Sequence, residues 1–94
     1  MRIEVTQDDI DAGRPNNNLS CPLALAISRA ADKPASVGQC SGRTFQAGNV
    51  HATDRRFWLP AMATLFVREF DAGKQVSPFD FELDLQTNQE HYGI

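Results

Sequence analysis

The last third of the chain carries the clearest pattern of apolar and polar positions. Between Leu59 and Gly73, apolar residues recur at three- and four-residue steps, which is the spacing of one face of an amphipathic helix. Pro60 suits the first turn of a helix, and Gly73 can adopt the left-handed conformation that ends one. The predicted buried face consists of Leu59, Met62, Ala63, Phe66, Val67 and Phe70.

The segment from Phe79 to Leu85 alternates strictly between apolar and acidic residues. Successive side chains of a strand point to opposite faces, so this alternation predicts a strand with one dry and one wet face. The apolar positions are Phe79, Phe81, Leu83 and Leu85, and the acidic positions are Asp80, Glu82 and Asp84.

The first residues predict a strand followed by a short helix. Ile3 and Val5 alternate with polar residues, and Thr6 with Asp9 three positions later resembles a capping box. Gly13 is the expected end of that helix. The asparagine-rich stretch 14–19 cannot continue either element, and we expect an exposed loop there.

A second helix is predicted to begin at Ser20-Cys21-Pro22 and to stop at Lys33-Pro34, because proline is tolerated in the first turn but not inside a helix. Its buried face is expected to hold Leu23, Ala26, Ile27 and Ala30.

Residues 35–40 and 44–50 are weaker strand predictions on either side of a turn at Ser41-Gly42. Residues 51–58 are expected to be a polar connection, and residues 87–94 a C-terminal tail. The predicted order of main elements is strand, helix, strand, strand, helix, strand.

This order predicts a small α+β domain over residues 1–86. It is the split βαβ order of a ferredoxin-like fold, with two helices on one face of a four-stranded antiparallel sheet. The alternative is an irregular α+β fold in which residues 35–50 form only a short ribbon.

The composition is that of a globular protein: 94 residues, 41% hydrophobic and 22% charged. The longest apolar run is far shorter than the roughly 20 residues that span a bilayer, and the first residues lack the apolar core of a signal peptide. We therefore expect no membrane contact and a cytoplasmic location. Cys21 and Cys40 are expected as thiols there, whereas an oxidising compartment would allow a disulfide.

Charge is unevenly distributed along the chain. Residues 1–40 carry four basic and five acidic groups, residues 41–60 three and one, and residues 61–94 two and six. Because partners meet local patches, the basic middle and the acidic end are separate candidates for binding. The total charge of −3 argues against direct binding to nucleic acid.

The basic middle contains the ingredients of an anion or nucleotide site. Guanidinium groups bind phosphate in two-point contacts, and an indole can stack on a base. The candidate residues are Arg43, His51, Arg55, Arg56 and Trp58. In the alternative interpretation Phe57 and Trp58 anchor the following helix to the core, and the arginines are solvated.

The acidic strand is a candidate for contact with a partner protein. Asp80, Glu82 and Asp84 are spaced at roughly 6.5–7 Å, close to the spacing of successive phosphates, so they can imitate a phosphate backbone or dock on a basic surface. The alternative is an ordinary wet sheet face. A metal site is not expected, because carboxylates along one strand do not converge on an ion. The sequence predicts no cofactor.

Cys21 is a third candidate, because the start of a helix lowers the pKa of a thiol. An enzyme would then use Cys21 as nucleophile and His51 as base. The alternative is a small, partly buried residue beside a helix cap.

Several motifs together resemble short uncharacterised proteins from bacterial and phage genomes. The motifs are Thr6–Gly13, Cys21–Ala26, Leu59-Pro60, Phe70–Gly73 and Val76–Phe81. The resemblance implies a small accessory protein carried by a phage or another mobile element. It brings no functional residue with it, because no activity is known for the group.

We therefore expect a non-enzymatic binding or inhibitor protein that counters a host defence. It would either sequester a small phosphorylated, nucleotide-like ligand or cover the surface of a host protein. The alternatives are a structural protein that forms homo-oligomers and, least favoured, the cysteine enzyme.

Overall fold

Helices and antiparallel strand pairs make up the fold. A computed structural model describes residues 1–38, 47–50, 55–84 and 86–87. Within these ranges the elements are β1 (Arg2–Val5), α1 (Gln7–Ala12), α2 (Pro22–Ala31), β2 (Ala35–Val37), β3 (Ala47–Val50), β4 (Arg55–Trp58), α3 (Ala61–Asp71), β5 (Phe79–Glu82) and β6 (Gln86–Thr87). The predicted small α+β class is confirmed.

The described strands form two sheets rather than one. β1 pairs with β5, and a second sheet has the order β2-β3-β4-β6. The ferredoxin-like order places β1 beside β3, but β3 lies between β2 and β4, so that order is not confirmed. The reason is that residues 55–58, predicted to be part of a polar connection, form a strand that pairs with β3.

The predicted capping box at the start of α1 is confirmed. The backbone N–H of Asp9 donates to Thr6 Oγ1 at 3.2 Å, and the backbone N–H of Thr6 donates to Asp9 Oδ2 at 2.9 Å. Gly13 caps the other end, where its N–H donates to the Asp9 carbonyl oxygen at 2.8 Å. Two polar side chains thus satisfy backbone groups that the helix itself leaves unpaired.

Helix α2 joins the two sheets, because it packs against both β1 and β2. It begins at the predicted place, with Cys21 as N-cap and Pro22 as first helical residue. Leu23 and Ile27 are fully buried as predicted, whereas Ala30, predicted on the same face, is exposed. Asp32 ends the helix in a left-handed conformation with φ of 56°. The loop before α2 is exposed, as predicted.

Helix α3 lies inside the predicted range, and Gly73 follows it with a φ of +80°. Phe66, Phe81 and Leu83 are buried, and the ring centroids of Phe66 and Phe79 lie 4.9 Å apart. The predicted buried face of α3 therefore packs against the predicted dry face of β5. Met62 differs from the prediction: it belongs to the predicted buried face, but it is 56% exposed.

Some predictions fall on residues outside the described ranges, among them the turn at Ser41-Gly42, the thiol state of Cys40, the placement of Leu85, and the tail from residue 88 onward. Thr87, assigned to the tail, belongs to β6. In the described part of the chain, no helix has the length and apolar character needed to cross a membrane.

Candidate functional site

Strand β4 turns Arg56 and Trp58 outward and Phe57 inward. Phe57 is 1% exposed, whereas Trp58 is 59% exposed and Arg56 is exposed. Residues two apart on a strand share a face, so the guanidinium and the indole stand on the same side of the sheet. In the alternative interpretation both aromatic residues anchor the next helix to the core; Phe57 is part of the core, whereas the exposure of Trp58 contradicts that role.

The structure brings together only part of the predicted nucleotide site. Arg55 begins β4, where it pairs in register with Thr87. Arg43 and His51 lie outside the described residues. The described contribution to an anion site is therefore Arg56 beside Trp58.

The acidic residues of the last strand are exposed, but a basic residue faces them. Arg2 on β1 forms an ion pair with Asp80, and its Nη1 lies 3.7 Å from Glu82 Oε1. Asp84 follows the strand and is also exposed. Since Arg2 neutralises part of the acidic face, Asp80, Glu82 and Asp84 imitate a phosphate backbone less well than the sequence alone predicts.

Cys21 is not the activated thiol that its helix position predicts. It is only 4% exposed, and burial raises its pKa. The backbone N–H groups of Ala24 and Leu23 lower the pKa but do not offset the burial, although the Ala24 N–H lies 3.4 Å from the Cys21 sulfur. The prediction of a lowered pKa is wrong because desolvation of the thiolate exceeds the effect of the helix start.

A partly buried ion pair ties α1 to α2. The guanidinium of Arg29 donates to both carboxylate oxygens of Asp9, at 2.8 and 2.9 Å, and to the Glu4 carbonyl oxygen at 2.8 Å. Burial acts to raise the pKa of Asp9, but hydrogen bonds from Arg29 and Thr6 together hold it below its usual value. Both carboxylate oxygens of Asp9 accept hydrogen bonds from within the fold, so the role of the pair is structural.

A groove that the sequence did not predict lies between α3 and the chain that leads into β5. This apolar groove has a volume of about 310 Å³, and its lining includes Met62, Leu65, Phe66, Glu69, Val76 and Phe79. Met62 and Leu65 are 56% and 55% exposed, which is unusual for two large apolar side chains on one turn of a surface helix. The groove offers an apolar contact surface to a partner.

A second depression lies on the other side of Phe79. This acidic depression has a volume of about 400 Å³, and its lining includes Glu4, Val5, Thr6, Pro78, Phe79 and Asp80. Glu4 and Asp80 are directly opposite each other in the β1–β5 register. Two carboxylates thus stand side by side at the edge of this depression.

One feature of the sequence indicates the apolar groove. Leu65 is apolar, yet it lies outside the predicted buried face of α3, and together with Met62 it widens the apolar part of the helix beyond what a core needs. The other wall comes from residues 75–79, and sequence spacing does not indicate that they lie opposite α3.

Within the described ranges, no group of three or more histidine, cysteine, aspartate or glutamate residues is placed to hold a metal ion. Comparison with protein-family models, with curated proteins and with solved structures finds no match to this chain.

Proposed function

We propose that this protein is a non-enzymatic binding protein that acts by covering a surface of another protein. The observation that carries the proposal is the apolar groove, where Met62 and Leu65 are both more than half exposed in a folded chain. Burying the exposed parts of these two side chains in a complex would contribute on the order of 2 kcal/mol to binding. The resemblance to bacterial and phage proteins makes a host protein the expected partner, and an inhibitor of host defence the expected role.

The test compares the wild-type protein with a Met62→Gln/Leu65→Gln double variant. Glutamine is a good helix former, and both positions are exposed, so the free energy of unfolding should change by no more than about 0.5 kcal/mol. Bacterial extract is passed over each immobilised protein, and a retained partner is then purified and mixed with each form.

We expect light scattering to show a stoichiometric complex with the wild type and none with the double variant. A partner held equally well by both forms would contradict the use of the groove. Thermal unfolding of both forms is the control, since a double variant with a lower melting temperature would have to be replaced by the single Leu65→Gln.

A second candidate function is the capture of a nucleotide-like ligand, and the outward position of Trp58 beside Arg56 favours it. An exposed indole can stack on a base while the guanidinium contacts phosphate. Addition of nucleoside di- and triphosphates should then quench Trp58 fluorescence, and the heat of binding should vanish in an Arg55→Ala/Arg56→Ala variant. Unchanged fluorescence at millimolar nucleotide would remove this function.

A further inference from the structure

The two depressions are neighbours that share one wall. Phe79 lines both the apolar groove and the acidic depression. Its ring centroid lies 4.9 Å from that of Phe66 and 5.4 Å from that of Phe81, so its ring packs against two other aromatic side chains. A ligand that lies across Phe79 therefore contacts both depressions.

The charged residues that line this double surface are all acidic. The charged residues that line the two depressions are Glu69, Glu4 and Asp80. In the described part of the chain, no basic nitrogen comes within 4 Å of the carboxylates of Glu4 or Glu69, whereas Asp80 is paired with Arg2. The surface is therefore apolar on one side of Phe79 and acidic on the other.

The carboxylates of Glu4 and Asp80 are in an unfavourable arrangement. Like charges directly opposite each other on adjacent strands repel and weaken the pair of strands. Arg2 relieves Asp80 by an ion pair. Glu4 has no ion pair among the described residues and meets only the more distant charge of Arg29, whose guanidinium donates to the Glu4 carbonyl oxygen at 2.8 Å. A cation from outside, placed between the two carboxylates, would gain charge-assisted hydrogen bonds and remove this repulsion.

From this geometry we propose the chemistry of the partner, an inference that rests on the proposed function. The double surface binds a segment of a partner protein that carries a large apolar side chain next to a lysine or arginine. The apolar side chain enters the groove between α3 and residues 75–79, and the basic side chain lies between Glu4 and Asp80. Phosphorylated and acidic ligands are excluded from this surface by its charge.

The first experiment selects ligands from random sequences, so the identity of the partner is not needed. A phage-displayed library of random peptides is panned against the immobilised wild-type protein, and peptides that also bind the Met62→Gln/Leu65→Gln variant are discarded. We expect the remaining peptides to combine leucine, phenylalanine or tryptophan with lysine or arginine. Enrichment of acidic or uncharged peptides would overturn the inference while leaving the proposed function intact.

A failure of the proposed function has a different signature. In that case no peptide is enriched, or every enriched peptide binds the double variant as well as the wild type. A second copy of this protein is a competing occupant, because its Arg56 and Trp58 would present a basic side chain next to a large apolar one. Light scattering of the protein alone detects such self-association. Self-association that an Arg56→Glu variant abolishes would assign the surface to a second copy and overturn the partner assignment.

The second experiment tests the basic contact with one selected peptide in a fluorescence anisotropy titration. Glu4→Gln should weaken binding about tenfold, since it removes one charge-assisted hydrogen bond. The same variant should leave the melting temperature unchanged or raise it, because it removes the repulsion from Asp80. Added salt should weaken binding to the wild type more than binding to Glu4→Gln.

The matched control is Asp32→Asn, which removes one exposed negative charge outside both depressions, and asparagine tolerates the left-handed conformation at this helix end. We expect its affinity for the peptide to stay within twofold of the wild type. Equal losses in Glu4→Gln and Asp32→Asn would show a general effect of net charge, and the proposed position of the basic side chain would be wrong.

Discussion

The burial of individual side chains decides which chemistry each residue can take part in. Asp9 is buried and satisfied by Arg29 and Thr6, and Cys21 is buried with a raised pKa, although the sequence shows both only as residues at helix starts. The capping role of Asp9 depends on neighbours three residues away and is predictable. Its partner Arg29 lies 20 residues further along the chain, so only the packing of α2 brings the two together.

The pair of Asp9 and Arg29 makes stability depend on pH in a defined direction. Because the pKa of Asp9 is lower in the folded chain than its ordinary value of 3.8, the carboxylate stabilises the fold above that pH, and this contribution is lost as the pH falls through and below about 4. Asp9→Asn should cost about 1–3 kcal/mol at neutral pH in urea unfolding. The difference from the wild type should shrink on acidification.

Asp8→Asn is the control for this prediction, since Asp8 is an exposed acidic residue in the same helical turn. We expect it to change the free energy of unfolding by no more than about 0.5 kcal/mol. If the free energy of unfolding fell by the same amount in the wild type and in Asp9→Asn between neutral and acidic pH, the pH dependence would not come from Asp9.

Because Cys21 is buried, we expect its thiol to react slowly with alkylating reagents. In a Cys40→Ser background, Cys21 should react with iodoacetamide at a rate limited by opening of the structure, because the thiolate is disfavoured and the sulfur is covered. Urea near the unfolding midpoint should speed the reaction by orders of magnitude. Native-state labelling as fast as that of a free cysteine would show that Cys21 is the reactive residue of the alternative hypothesis.

At the scale of elements, local periodicity predicted helices well and sheet partners poorly. The helix α3 and the strand β5 lie within their predicted ranges, because each shows its period in consecutive residues. Strand β4 was missed because its sequence shows no alternation. Of its four residues, only Phe57 is a buried apolar residue, and the other three are polar or exposed. Its strand character comes from hydrogen bonding to β3, which the sequence of β4 does not show.

Gly48 lies inside strand β3 because no larger residue fits there. It lies opposite Phe57, and a Cβ at position 48 would come closest to the carbonyl oxygen of Ser36 on β2 and would approach Phe57 Cζ to 2.5 Å and Cε1 to 2.7 Å. The ring of Phe57 and the backbone of β2 therefore both close on this position, and only glycine leaves room for them.

We expect Gly48→Ala to destabilise the protein by about 1–3 kcal/mol in urea unfolding, since both the ring of Phe57 and the backbone at Ser36 must shift. Phe57→Leu removes part of the clash. The double variant should therefore be more stable than the sum of the two single changes implies, by about 1 kcal/mol. Strict additivity would show that the ring of Phe57 is not what position 48 accommodates.

On the scale of the whole molecule, α2 is the element that makes two sheets into one structure. It packs against β1 of one sheet and β2 of the other, and its fully buried Leu23 and Ile27 belong to the same core cluster as Ile3 of β1 and Val37 of β2. Because both sheets share these contacts, we expect them to lose their order together.

Ile27→Ala should cost about 2–5 kcal/mol and lower the protection of backbone amides in β1 and in β3 by the same factor in hydrogen exchange measured by NMR. Leu19→Ala is the control, because Leu19 is 55% exposed, and its exchange pattern should match the wild type. Loss of protection confined to one sheet would show that the sheets are held independently.

The sequence by itself determined the features whose cause is local. Thr6 and Asp9 form the capping box, Gly73 ends α3 in the left-handed conformation, and α3 and β5 each have one apolar face. These features follow from backbone geometry and from residues a few positions apart.

Only the tertiary structure decided which surfaces stay open. It placed Trp58 and Met62 outside and Cys21 inside, set Glu4 opposite Asp80, and formed the groove from α3 and residues 75–79. The physical reason is that exposure and pKa depend on what distant segments pack against a residue. A groove that needs two walls from separate parts of the chain exists only after folding.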